Sequence, residues 1–212
     1  VTAAAQACLE LGNVFPGEVW FGHAPAQVST LLGSCVAITL WHPRSKSGGM
    51  CHYMLPGRPL PRGRAALDGR YGDAALQLLL QAAASAGCDP SECEFKLFGG
   101  GRMIGCEARL REAGLQVHLR NVEQAHRMAG RHALKVVAQH LGGAGHRQIR
   151  MDLATGAVWL RHTPLAVQAD RPGANVGHRR SADAALAHAD RWCNPAPWKR
   201  PPTPPTFPAP RR

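Results

Sequence analysis

Between residues 18 and 161 the apolar residues switch between a period of two and a period of 3.6, and glycine or proline marks most of the switches. Glu18 to Phe21 and Gln27 to Leu32 are strand-like, separated by Gly22 and Pro25, and Gly33-Ser34 interrupts before Cys35. Val36 to Trp41 resumes as a strand. Pro43 to Gly49 reads as a polar, glycine-ending loop and Met50 to Leu55 is apolar again, so 35–55 predicts a β-hairpin with a long connection. Cys93 to Phe98 predicts a strand running into Gly99-Gly100-Gly101. Gln148 to Leu153 and Val158 to Arg161 predict a second hairpin around Ala154-Thr155-Gly156. Helical spacing occurs twice. Tyr71 to Ala86 carries Ala74, Leu76, Leu79, Leu80 and Ala83, with Asp73 at the positive end of its dipole. Asn121 to Gln139 carries Val122, Ala125, Met128, Ala129, Leu134 and Val137, with His118 to Arg120 before it as a strand. Strands outnumber two main helices, which is an α+β pattern.

Charge divides the chain. The formal net charge is +11 and the sequence pI about 10.1, which suits an anionic partner. The last fifty residues hold eight basic and three acidic side chains and ten of the 17 prolines. Such composition favours extended, solvated chain over a packed core. The expected organisation is therefore a flexible extension over 1–15, a folded domain over 16–162 and a disordered Pro/Arg-rich tail over 163–212. Ser181 to Trp192 is the one segment of that tail with a helical look. Without the tail the body is only +6, so basicity is a weak argument for nucleic acid and fits steering toward acidic partners. No apolar run approaches the roughly 20 residues of a membrane helix, and the start lacks a signal-peptide pattern. The expectation is a soluble, cytoplasmic protein with no membrane insertion, whose seven cysteines are mostly reduced.

Thiol chemistry is then available. A cysteine becomes a nucleophile where its thiolate is stabilised and a base lies in reach, and a tight glycine-containing turn exposes N–H groups to a developing oxyanion. Gly33-Ser34-Cys35 fits that description, and His52 lies on the other arm of the predicted hairpin. The two face each other only if the pairing axis falls between Pro43 and Arg44, whereas the loop centre lies nearer residue 45. Spacing alone equally describes a small buried strand cysteine and a satisfied core histidine.

Other chemistry has less support. Cys51, Cys88, Cys93 and Cys106 form no paired CxxC and read as packing or surface residues, with no metal site. Gly99 to Gly105 lacks phosphate-loop spacing, and His118, His126, His132, His140 and His146 read as solvated positions. Arg127, Arg131 and Lys135 form a basic stripe on the second helix, read first as a solvated face. A non-catalytic basic module, contacting nucleic acid or an acidic partner, is the alternative function.

The stretch Ser29-Thr30-Leu31-Leu32-Gly33-Ser34-Cys35-Val36-Ala37-Ile38, followed by Gly48-Gly49-Met50-Cys51-His52-Tyr53-Met54-Leu55-Pro56, resembles the chemoreceptor glutamine deamidase family, CheD. Arg70 to Ala75, Lys96 to Met103, Arg120-Asn121-Val122, Gly142-Gly143 with Arg147, and Thr155 to Val158 extend the resemblance in order over roughly 16–162. Gly101 and His118-Leu119 depart from the family pattern. The resemblance implies a layered α/β/β sandwich and a cofactor-independent protein-glutamine glutaminase acting on methyl-accepting chemoreceptors. It also implies a Cys-His-Thr site, with Cys35 as nucleophile, His52 as base and Thr30 as third member, Ser29 being the alternative. Backbone N–H groups near Ser34 and Cys35 would hold the oxyanion. A CheC-type phosphatase is an implied partner.

Overall fold

The computed structural model describes residues 10–58, 66–103 and 116–165. They form nine strands and two α-helices: β1 Glu10–Asn13, β2 Val19–His23, β3 Ala26–Leu32, β4 Val36–His42, β5 Ser47–Tyr53, α1 Gly72–Ser85, β6 Glu94–Gly99, α2 Val117–Arg131, β7 Val136–Leu141, β8 His146–Asp152 and β9 Val158–Thr163. A single 3-10 turn, Pro90–Glu92, leads into β6. One sheet has the order β1-β3-β8-β9 and the other β2-β5-β4-β6-β7. Among the described residues no helix is long and apolar enough to cross a membrane.

Strand alternation sorts the core into two layers. Val36, Ile38, Leu40, Cys51, Tyr53, Phe95 and Leu97 turn one face of the five-stranded sheet toward Leu76 and Leu79 of α1 and Ala125 and Met128 of α2. Ala37, Met50 and Phe98 turn the other face toward Val28, Leu32, Ile149, Met151 and Leu160 of the four-stranded sheet. The result is the helix, sheet, sheet layering that the family resemblance implies. Strand β5 is covered on both faces and flanked by β2 and β4, so every one of its residues is buried.

Several boundaries differ from the sequence reading. The loop between β4 and β5 is only Pro43 to Lys46, closed by Lys46 at φ +49°, because the ladder extends to His42↔Ser47. The expected long connection is thus a tight turn. Glu10–Asn13, assigned above to a flexible extension, pairs in parallel with β3, and Val14 is buried with its N–H on the Ser29 carbonyl at 2.9 Å. The second helix starts and stops earlier than expected. His118 to Arg120 lie in its first turn, and it ends at Arg131, followed by Ala133 at φ +48°. Val136 to Leu141 then leaves helical geometry to pair in parallel with β6, a match of β-branched residues to a partner strand that overrides helical spacing. Lys135 therefore lies off the helix, where its Nζ is 3.1 Å from Glu94 Oε1. Residues 1–9 and 166–212, with Cys8, Cys193 and the segment 181–192, lie outside the described residues, as does Cys106.

Candidate active site

Three strands bring the sequence-selected residues to one place. On β3 the pleat alternates, so Val28, Thr30 and Leu32 point between the sheets while Ser29 and Leu31 do not. Ser29 Oγ instead turns to the β1 side, 3.4 Å from both the Gly12 carbonyl and Asn13 Oδ1. On β5 the same rule sends Met50 and His52 between the sheets, whereas Cys51 and Tyr53 face the helices. Cys51 is fully buried there and its thiol is pushed up to about 12 by desolvation, which leaves it inert.

The imidazole of His52 is held from one side. Thr30 Oγ1 lies 2.9 Å from Nδ1 and donates its own proton to the Val14 carbonyl at 2.6 Å. The Val14 carbonyl also lies 3.4 Å from Nδ1. A hydroxyl has one proton, and here it goes to Val14, so Nδ1 carries the hydrogen that Thr30 accepts. Nε2 is then the lone-pair nitrogen. It is buried and has no hydrogen-bond partner among the described residues. Burial pulls the imidazole below its ordinary 6.5, opposed by the Val14 carbonyl and the Glu18 charge, so it is neutral at pH 7.

Cys35 immediately precedes β4. In the β4–β5 ladder His52 pairs with Ala37, so Cys35 lies two residues along the same strand face rather than directly opposite. Such a diagonal spans about 7–8 Å between Cα atoms, with Cβ atoms closer, a gap that a thiol, an imidazole and a small reacting group can fill. The half-buried Cys35 packs against the inter-sheet core that Ala37 and Met50 also line. Burial raises its thiol above the ordinary 9.0, opposed by its own backbone N–H and the Ser34 side chain. The resting pair is therefore a neutral thiol beside a neutral imidazole.

The turn carrying Cys35 is gripped from two sides. Gly101 N–H donates to the Gly33 carbonyl at 2.8 Å, and Gly100 N–H to the Cys35 carbonyl at 2.7 Å. From α2, Asn121 Nδ2 donates to the Ser34 carbonyl and to the Met54 carbonyl, both at 2.9 Å, while Tyr53 Oη donates to the Asn121 carbonyl at 2.7 Å. All three carbonyls of Gly33-Ser34-Cys35 are thus engaged. Their geometry leaves the N–H groups of Ser34 and Cys35 without a backbone acceptor among the described residues. Asn121 appears in the sequence only as part of a helix-start motif, and a lone amide has no periodicity that would announce this clamp.

Met103 packs against Gly33 and is exposed, and Leu31, Met54 and Leu119 are exposed apolar residues close in sequence to Thr30, Tyr53 and Asn121. Behind the glycine loop, the buried Arg147 donates from Nη2 to the Gly142 carbonyl and from Nε to His140 Nδ1 at 2.8 Å. His140, expected in solvent, is instead half-buried on β7 and is pulled down to about 4 by burial and by the Arg147 charge. Among the described residues no group of three or more His, Cys, Asp or Glu side chains is placed to hold a metal ion.

Comparison with known proteins agrees with this architecture. Residues 54–162 match the family described as CheD chemotactic sensory transduction. A protein of Pseudomonas syringae pathovar tomato, named a probable chemoreceptor glutamine deamidase CheD, is 50% identical over 152 residues, covering 72% of this chain and 89% of its own length. A relative of the same name, numbered CheD 3, in Dechloromonas aromatica is 46% identical over 154 residues, covering 71% of this chain and 88% of its own length. One from Vibrio vulnificus is 33% identical over 194 residues, 86% of this chain and 82% of the relative. With a strand-rich α/β/β fold and this breadth of similarity, the chain belongs to the CheD family.

Proposed function

We propose that the chain is a protein-glutamine glutaminase that converts glutamine side chains of methyl-accepting chemoreceptors to glutamate in the cytoplasm. Cys35 is the nucleophile, His52 the base and Thr30 its orienting partner. The observation that carries this reading is the polarised arrangement from the Val14 carbonyl through Thr30 to His52 Nδ1. It leaves Nε2 as an unpartnered base on the strand face that also bears Cys35.

A carboxamide is a poor electrophile with a poor leaving group, so its hydrolysis needs a strong nucleophile, a stabilised oxyanion and a proton for the departing nitrogen. Cys35 Sγ attacks the side-chain carbonyl carbon as His52 Nε2 takes the thiol proton. The C–S bond forms and the carbonyl π electrons move onto oxygen, toward the N–H groups of Ser34 and Cys35. His52 then returns the proton to nitrogen, the C–N bond breaks, and ammonia leaves a thioester. Water adds to the thioester while Nε2 accepts its proton. The sulfur departs with that proton as the thiol, and glutamate is released. A hydroxyl partner orients the imidazole but stabilises its cation less than a carboxylate would.

The test is incubation of the full chain with chemoreceptor cytoplasmic fragments, with each glutamine read by mass spectrometry. Gln-to-Glu conversion with the wild type and none with Cys35→Ala is the expected result. Conversion by Cys35→Ala, or none by the wild type, overturns the reading.

A further inference from the structure

Helix α2 carries a second feature that the chemistry above does not use. Arg120, Arg127 and Arg131 fall within about 40° of the helix circumference and run about 16 Å along it. They line one wall of a groove of about 700 Å³ whose other wall is Pro56, Gly57 and Arg58. Two carboxylates share the groove, Asp73 and Glu123. Asp73 is already engaged, accepting from Gln124 Nε2 at 2.7 Å with Arg131 Nη1 3.9 Å away. Arg58 is tied to Asp68 at 3.7 Å and lies over the Tyr71 ring at 4.3 Å. Arg120 and Arg127 have no ion-pair partner among the described residues. The groove therefore holds more positive charge than its own carboxylates neutralise.

One wall of the groove begins at Arg120, next in sequence to Asn121, whose amide grips the Ser34 and Met54 carbonyls, and the other wall, Pro56 to Arg58, follows in sequence the strand that carries His52. Within the groove, Gln124 Oε1 is a buried acceptor without a partner, on a side chain only 1% exposed. Its orientation is fixed, because the Nε2 end is committed to Asp73. An occupant must then bring negative charge for the arginines and an N–H donor for Gln124. A polypeptide segment rich in carboxylates and amides supplies both, whereas a phosphate backbone supplies only the charge.

We infer that this groove docks an acidic segment of the chemoreceptor beside the target glutamine, holding it while Cys35 reacts; the inference rests on the deamidase reading. Such a contact contributes to substrate capture and not to bond breaking, so it acts on KM. The experiment compares the full-length wild type with Arg127→Glu/Arg131→Glu on two substrates, a chemoreceptor cytoplasmic fragment and a short uncharged glutamine peptide. The double variant should raise KM for the fragment about tenfold at low salt, leave kcat unchanged and leave the peptide unaffected. Arg127→Lys/Arg131→Lys should stay near wild type, and wild-type KM for the fragment should rise with salt. Unchanged KM, or equal losses on both substrates, overturns the inference. Fragment binding to a Cys35→Ala chain, read by fluorescence anisotropy, separates the two claims. If the charge reversal weakens that binding while the wild type deamidates nothing, docking stands and the deamidase reading falls. An oligonucleotide that binds the groove more tightly than the fragment overturns the choice of occupant.

Discussion

Thr30 Oγ1 meets His52 Nδ1 at 2.9 Å while giving its single proton to the Val14 carbonyl at 2.6 Å, so one hydroxyl sets the tautomer of His52, the base of the proposed mechanism. Thr30→Ala removes that acceptor and frees the ring to rotate or to carry its proton on Nε2. The expected loss in kcat is about 10²-fold, at the low end of general acid–base effects. The buried Val14 carbonyl also loses a donor, for a stability cost of about 1 kcal/mol. Thr30→Ser keeps the hydroxyl and should retain most activity. Ser29→Ala, whose side chain turns toward Gly12 and Asn13, should leave kcat near wild type. Steady-state deamidation and thermal melts of the three variants check this.

The directions of two titrations shape the pH profile. His52 is held below 6.5 by burial, so the base stays neutral, and the acid limb of kcat/KM should fall below pH 6.5. Cys35 is held above 9.0, again by burial, so in the proposed mechanism it reacts as a thiol whose proton passes to His52 in the complex. Activity should be flat from pH 7 to about 9, while alkylation of free enzyme by iodoacetamide should be slow there and accelerate above pH 9. Fast alkylation at pH 6 would show a preformed thiolate–imidazolium pair and defeat this account.

Asn121 ties the start of β4 to the end of β5 through the Ser34 and Met54 carbonyls. Asn121→Asp replaces a donor with a carboxylate facing two carbonyl oxygens, at nearly the same volume. The expected cost is about 1–3 kcal/mol of stability, with a fall in kcat larger than any change in KM for a short glutamine peptide. Asn121→Ala leaves the carbonyls unpaired without repulsion and should be milder on both counts. An equal loss of stability and activity in the two variants would argue that packing, and not the amide, positions the turn.

Cys35 and His52 stood out as residue types, but their spacing equally suited a buried cysteine and a core histidine, and Thr30 and the α/β/β layering came from the family resemblance; the α+β pattern was legible in the strand-length apolar runs. The hairpin register was not. His42 and Ser47 are polar, so nothing local marks them as strand, yet they pair and shorten the turn to Pro43 through Lys46. That places Cys35 on a diagonal from His52. The end of α2 was hidden for a related reason: Leu134 and Val137 continue helical spacing, and only the parallel partner β6 decides for a strand. Strand alternation turns Thr30 and not Ser29 toward His52, as the neighbouring Val28 and Leu32 already imply once Ala26–Leu32 is known to be a single strand.

Gly99 shows how closely the glycine loop approaches the nucleophile. Its φ is +112°, outside the range L side chains adopt readily, and an added Cβ would lie 2.2 Å from the Cys35 carbonyl oxygen. Gly99→Ala must therefore push the loop away from Cys35 or twist the turn itself. Either movement breaks the Gly100 N–H bond to the Cys35 carbonyl and shifts the N–H groups of Ser34 and Cys35, the oxyanion donors of the proposed mechanism. Loss of one oxyanion donor costs about 10²–10³ in kcat, so Gly99→Ala should lose at least 10²-fold even in a preparation that remains folded. Gly87, also at positive φ but with nothing within 4 Å of an added Cβ, is the matched control. Gly87→Ala should lower the melting temperature modestly and leave kcat unchanged, which separates backbone strain in general from displacement of the Cys35 turn. If both variants lose activity in proportion to stability, the glycine loop has no special hold on the nucleophile.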